Sequence, residues 1–153
     1  MHTFEALINN YLLVSAVCAW FIAQFLKMVV TLVKEKQFKP SLMLFSLGGM
    51  PSSHSATVGA LFTSAAIKYG FGSFEFAIST ILAIIVMTDA MGVRWETGEQ
   101  SKVINKIVKQ LFGGNPEEAE TALKELVGHT PFQVLMGLIV GIATPFITML
   151  FYK

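Results

Sequence analysis

GGMPSSHS, residues 48–55, separates two apolar parts of the chain. Its glycines, proline, serines and histidine are unfavourable in a hydrocarbon core, whereas serine hydroxyls and the amides at a helix start can hold an anion. Ser52 and Ser53 could equally act only as caps of the following helix, with Pro51 fixing the entry of the chain. The stretch therefore supports two hypotheses, an anion-binding turn and a helix start without chemistry.

The composition around this stretch is that of an integral membrane protein. The 153 residues are 54% hydrophobic and 14% charged, and the mean hydropathy is +0.62, which is more apolar than an ordinary soluble domain. The net charge of +1 gives no reason to expect nucleic acid as a partner. We predict an all-α fold, a helical membrane bundle formed by one domain, residues 1–153.

Four transmembrane helices are predicted, at residues 11–33, 55–69, 74–93 and 132–151. A helix of 23 residues, such as 11–33, reaches about 35 Å and can cross a hydrocarbon core of about 30 Å. Residues 55–69 are fewer but small, and Gly59 and Thr63 are spaced as in closely packed membrane helices. Residues 41–47 are too few to cross, so a re-entrant segment is predicted there.

Most of the charged residues lie in two loops, 34–40 and 94–129. Within the second loop, residues 102–112 combine apolar positions at helical spacing with lysines elsewhere, which predicts a basic amphipathic helix on the membrane surface. A second short helix is predicted from Pro116 until Gly128. The excess of lysine and arginine places both loops in the cytoplasm and both termini outside.

Unusual polar residues cluster at the cytoplasmic ends of the predicted spans: Lys27, Lys39, Ser52, Ser53, His54, Asp89, Arg94 and His129. Cations neutralise phosphate oxygens, and hydroxyls and helix-start amides donate to them. One histidine can attack phosphorus while the other protonates the leaving alkoxide. Lys27 could instead reach the interface, and the two histidines could lie there without chemistry. The simplest enzyme that this set could form is a metal-free phosphohydrolase.

Three ordered blocks resemble the divergent branch of the type 2 phosphatidic acid phosphatase superfamily, which also includes vanadium-dependent haloperoxidases. The blocks are GGMPSSHSA (48–56), DAMGVR (89–94) with GEQ (98–100), and KE (124–125) with GHTP (128–131). Within the first block, PSSH is similar to the PSGH signature of the superfamily. The resemblance extends from about Gln24 to Gly141, and it implies a small integral membrane protein of the bacterial plasma membrane or of plastids, of which we expect the former.

The resemblance implies roles for individual residues. Ser52 and the amide of Ser53 would bind phosphate, with Arg94 as a further phosphate ligand. His54 would be the general acid, and His129 would be the nucleophile that forms a phosphohistidine.

The cation of the first family motif would be Lys27 or Lys39. The resemblance implies no metal or other cofactor, with vanadate or phosphate occupying the site as an analogue or ligand. It also implies membrane lipids and a lipid-phosphate substrate as partners. Because the superfamily core usually has six helices, four spans also raise the hypothesis of a homodimer.

The chain departs from the family pattern after His129, where Gln133 stands in place of an aspartate. A glutamine cannot supply the carboxylate that orients an imidazole and stabilises its cation, a role for which Asp89 is a candidate. TPFQ (130–133) also fits a capping box, which is the interpretation we favour for Gln133. This departure and the 35 residues from Arg94 to His129 support an alternative function, a non-catalytic lipid-phosphate binding or transport module.

Overall fold

The computed structural model describes residues 2–35, 49–111 and 129–152, and this part of the chain contains helices and no strand. The helices are α1 (His2–Ile8), α2 (Tyr11–Glu35), α3 (Ser53–Tyr69), α4 (Phe74–Met91), α5 (Val93–Leu111) and α6 (Pro131–Thr148), and the 3₁₀ turn Met149–Phe151 follows α6. The predicted all-α membrane bundle is confirmed.

Three described stretches are long and apolar enough to cross a membrane, namely Tyr11–Val33, Phe74–Val108 and Pro131–Phe151. These stretches contain the first, third and fourth predicted spans completely. The helix α3 has 17 residues and is less apolar, so its crossing stays a prediction. It lies at the centre of the bundle, because it packs against α2, α4 and α6.

The helix α2 runs antiparallel to α6. At one end of the bundle, the Tyr11 hydroxyl donates to the Pro145 carbonyl at 2.8 Å, and the Ser15 and Thr148 hydroxyls are 2.7 Å apart. The helices α3 and α6 both begin at the other end, where the Ser52 amide donates to a carbonyl of α6. We call that second end, which contains the start of α3, the start of α6 and the last third of α2, the polar end.

Alanines on α2 and α3 form the centre of the bundle. Ala19 and Ala23 of α2 are fully buried against Ala56 and Ala60 of α3. The two alanines of each helix are four residues apart, so they lie on one face and form a smooth stripe along it. In a lipid environment such stripes stabilise a bundle because they allow close van der Waals contact between the helices.

Glycines bring the backbones of α3 and α6 into direct contact. A Cβ atom on Gly141 would lie 2.5 Å from the Ala56 carbonyl oxygen, and one on Gly59 would lie 3.3 Å from the Gly141 Cα. A Cβ atom on Gly137 would lie only 2.3 Å from the Ser52 carbonyl oxygen. Close packing at Gly59 was predicted, whereas its partners on α6 were not singled out, although their four-residue spacing carries the same signal.

Several helix boundaries differ from the predictions. The helix α3 begins at Ser53 rather than at residue 55, because Ser52 already caps it. The helix α5 begins at Val93, nine residues before the predicted amphipathic helix, and only Gly92 separates it from α4. The helix α1 was not predicted. The predicted re-entrant segment and the second short helix lie outside the described residues.

The described part of α5 has the amphipathic character that was predicted. Val103, Ile104 and Ile107 are exposed, and Lys102 forms an ion pair with Glu99 at 2.7 Å between Nζ and Oε1. An apolar face beside lysines suits the membrane surface. The placement of α5 on that surface stays a prediction.

Candidate phosphate site

The start of α3 is formed by the serines of the sequence motif. Ser52 is fully buried, and its hydroxyl accepts hydrogen bonds from the Ser55 amide at 3.4 Å and the Ser55 hydroxyl at 3.0 Å. Ser53 is the first helical residue, and the first amides of a helix have no acceptor within that helix. The capping role considered for Ser52 is confirmed. The binding of phosphate by Ser52 and Ser53 stays a prediction.

The start of α3 is fixed to the first turns of α6. The Ser52 amide donates to the Gln133 carbonyl at 3.0 Å, and the Ser52 carbonyl accepts the Ala56 amide at 3.1 Å. The start of α3 can approach α6 this closely only because Gly137, one turn after Gln133, has no side chain. The position of the motif therefore depends on a contact between two helices as well as on its own residues.

The two predicted catalytic histidines lie beside each other at the polar end. His54 is the second residue of α3 and is exposed, whereas His129 is buried and directly precedes the α6 cap, Thr130. The His129 amide donates to the Ala90 carbonyl in the last turn of α4 at 3.1 Å. The two ring centroids are 6.2 Å apart. Three helices thus bring two imidazoles within reach of one small ligand.

A complete capping box starts α6. The Thr130 hydroxyl accepts the Gln133 amide at 3.3 Å, and Gln133 Oε1 accepts the Thr130 amide at 3.1 Å. The capping box predicted for these residues is confirmed, and Pro131 occupies the first helical position. The box also fixes the side chain of Gln133 at the start of α6, one turn after His129.

The side chain of Gln133 has a second contact that the capping box alone does not require. Its Oε1 atom lies 3.3 Å from Nδ1 of His129. Because the Thr130 amide donates to the same atom, that atom is assigned as the amide oxygen, and Nδ1 must carry the hydrogen. Nε2 of His129 then has the lone pair that a nucleophile needs. Gln133 therefore orients this imidazole without supplying a charge.

Lys27 continues the alanine stripe of α2 into the polar end. Its residue exposure is only 1%, and a Cβ atom on Gly49 would lie 3.2 Å from its Cγ atom. Gly49 has φ +82°, a conformation that favours glycine. The sequence left open whether Lys27 reaches the interface or faces a polar cavity, and the structure shows its side chain buried within the protein. Ionisable residues in such positions generally mark functional sites.

The remaining predicted site residues belong to the end of α4 and the loops. Asp89 is half-buried in the last turn of α4, next to Ala90, whose carbonyl holds the His129 amide. Arg94 is the second residue of α5. Lys39 lies outside the described residues. Within the described ranges, no group of three or more histidine, cysteine, aspartate or glutamate side chains could hold a metal ion.

Two residues at this end were missed in the sequence. Gly49 was quoted only as part of the motif, although a glycine before a proline-serine turn is a signal for positive φ. Gln24 is buried one turn before Lys27, with 3% exposure, and a polar residue inside an apolar span could have indicated its importance.

Comparisons with known proteins agree with the resemblance of the three blocks. The family model described as "Divergent PAP2 family" matches residues 8–144. The chain is 39% identical over 156 residues to the uncharacterized membrane protein YuiD of Bacillus subtilis (strain 168), an alignment that covers 95% of this chain and 98% of that protein. No solved structure matches the chain. The protein is therefore an integral membrane protein that belongs to the divergent PAP2 family.

Proposed function

We propose that this protein hydrolyses a lipid phosphate monoester or diphosphate at the cytoplasmic face of a bacterial plasma membrane, through a phosphohistidine and without a metal. The observation that carries the proposal is the pair His54 and His129, with ring centroids 6.2 Å apart at the starts of two helices. The same end of the bundle buries the ammonium-bearing side chain of Lys27. Membrane lipids would surround the exposed apolar faces of the helices.

The phosphate group would bind at the start of α3. The Ser53 amide and the positive end of the helix dipole favour an anion there. Lys27 would supply one positive charge from α2, and Arg94 would supply a second from α5. Ser52 would contribute through the cap, because its hydroxyl shapes the turn that presents the Ser53 amide.

The chemistry would proceed in two displacements. In the first, Nε2 of His129 attacks phosphorus, an N–P bond forms, the bond from phosphorus to the lipid oxygen breaks, and protonated His54 gives its proton to that oxygen. In the second, water attacks phosphorus and gives a proton to His54, the N–P bond breaks, and phosphate leaves. In an in-line transfer, Nε2 of His129 and the proton-donating nitrogen of His54 would be about 7 Å apart. This distance is comparable to the 6.2 Å between the two ring centroids.

A non-catalytic lipid-phosphate binding or transport module is the second candidate. It is favoured by the neutral contact between Gln133 and His129. A carboxylate in that place would stabilise the imidazolium that forms during transfer, whereas an amide does not. Such a module would use the same anion site without turnover.

Phosphate release by the purified protein in detergent tests the proposal, over a panel of phosphatidate, polyprenyl phosphates and polyprenyl diphosphates. His129→Ala should reduce turnover by roughly 1,000-fold or more. His2→Ala is the matched control, because α1 packs at the start of α2, away from the polar end. A 32P label trapped on His129 would exclude the binding module. Vanadate binding by a wild type that turns over nothing on the panel would reject the enzyme and support the module.

A further inference from the structure

Gln24 of α2 is a buried polar group that the proposed mechanism does not use. Its exposure is 3%, and its Oε1 atom is buried without a hydrogen-bond partner among the described residues. Buried polar side chains in native proteins nearly always have a partner. A group that lacks one destabilises the fold, and such groups are kept where function needs them.

The position of Gln24 connects it with the candidate phosphate site. It precedes Lys27 by three residues, a spacing that puts both on one face of α2. The adjacent residue Ala23 is buried against Ala56 and Ala60 of α3, so this face is turned towards the first turns of α3. Helical side chains lean towards the helix N-terminus, so both lean the same way, and their offset along the helix axis stays at about 4.5 Å, the rise of three residues.

We propose that Gln24 is a further binding residue of this site and that its amide hydrogen-bonds the phosphate group of the substrate alongside Lys27. The inference rests on the proposed anion site. A phosphate monoanion offers acceptor oxygens and one P–OH donor, and a glutamine amide supplies both kinds of partner. Rotation of the amide by 180° presents either its oxygen or its nitrogen. Gln24 thus recognises phosphate without adding a further charge to the site.

The Gln24→Leu variant separates this role from a structural one, because the two roles predict opposite effects on stability. Thr63→Val on α3 is the matched control, since Thr63 Oγ1 is the same kind of buried atom without a partner among the described residues. The full chain is purified in detergent, its thermal unfolding is measured without ligand, and its affinity for orthovanadate is measured by calorimetry. Gln24→Met repeats the test with an unbranched side chain.

Both Gln24 variants should unfold at the wild-type temperature or above it and bind orthovanadate about 10-fold more weakly or worse, as expected for a lost hydrogen bond to an anion. Thr63→Val should also keep its unfolding temperature, and its orthovanadate affinity should equal that of the wild type. A lower unfolding temperature for both Gln24 variants would overturn the inference, because the amide would then have a structural partner.

Unchanged orthovanadate affinity in the Gln24 variants would also overturn the inference, and it would leave the proposed function standing. Failure of the wild type to bind orthovanadate would instead remove the anion site, and the proposed function and this inference would fall together. Weaker binding in Thr63→Val would overturn the inference as well, because loss of any buried polar atom would then explain the result.

Discussion

The starts of α3 and α6 both have a hydroxyl cap and both carry a histidine, but they are stabilised in different ways. The start of α6 satisfies itself, since Thr130 and Gln133 bond reciprocally and Pro131 has no amide hydrogen to satisfy. The start of α3 depends on its neighbour, since Ser52 caps Ser55 at 3.4 Å while its own amide bonds to α6. The cap of α6 is therefore completed by its own residues, whereas the start of α3 also depends on α6.

In the proposed function the two histidines would have different roles. His129 is buried and oriented by the capping box that starts α6, as suits a nucleophile whose position must be fixed. His54 is exposed on the first turn of α3, as suits a group that exchanges protons with a leaving group and with water. Four predictions test the comparison.

Gly137→Ala should have the largest effect, because it separates the two helix starts. The new Cβ atom would meet the Ser52 carbonyl oxygen at 2.3 Å, and a backbone atom cannot turn aside as a side chain can. We expect the free energy of unfolding in detergent to fall by about 3 kcal/mol or more. Gly72→Ala is the control, since nothing lies within 4 Å of its new Cβ atom. Equal stability of the two variants would show that α3 is not fixed by α6.

Lys27→Met should weaken the candidate phosphate site at the start of α3. The unbranched methionine keeps the apolar stem beside Gly49 but removes the positive charge that would attract the anion. Orthovanadate affinity should fall by about 30-fold or more.

Lys68→Met, at the opposite end of α3, provides the control for the loss of one positive charge. Lys68 is exposed in the last turn of that helix. Its replacement should leave orthovanadate affinity at the wild-type value. Equal losses of affinity in the two lysine variants would indicate a general electrostatic effect and contradict a site at the polar end.

Ser52→Ala should cost more stability than Thr130→Ala. Loss of the Ser52 hydroxyl removes the cap and also leaves the buried Ser55 hydroxyl without its acceptor, so the free energy of unfolding should fall by about 2 kcal/mol. Loss of the Thr130 hydroxyl removes one bond of a half-exposed box and should cost about 1 kcal/mol. Denaturant unfolding of both variants in the same detergent measures the difference. The reverse order would contradict the greater reliance of α3 on its hydroxyl cap.

Gln133→Glu should have the smallest effect on stability, within about 0.5 kcal/mol, because a carboxylate oxygen can still accept the Thr130 amide. A carboxylate beside His129 favours the imidazolium, so the nucleophile would remain protonated to a higher pH. If the protein is an enzyme, the acidic limb of kcat/KM should therefore move up by about one pH unit or more. An unchanged limb would contradict the contact between Gln133 and His129.

Local chemistry made parts of the site predictable. The residues TPFQ (130–133) contain every atom of the α6 capping box, so no distant residue was needed to expect it. The polar residues at the ends of spans could be expected at one face because a membrane orders helix ends into two levels. Helix starts were less predictable, and α5 begins nine residues early because a single glycine suffices to separate it from α4.

The sequence by itself determined the fold class, the three apolar helices of sufficient length and the gathering of His54 and His129, because hydropathy, length and capping act over short stretches of chain. Only the tertiary structure decided that Lys27 is buried, that Gln133 also contacts His129 and that α6 supports the start of α3. The burial of Lys27 and the support of α3 depend on how closely two backbones approach, whereas His129 is placed beside Gln133 with the help of the bond from its amide to α4. The glycines of α6 set that distance, and they do so only when the facing helix is in place.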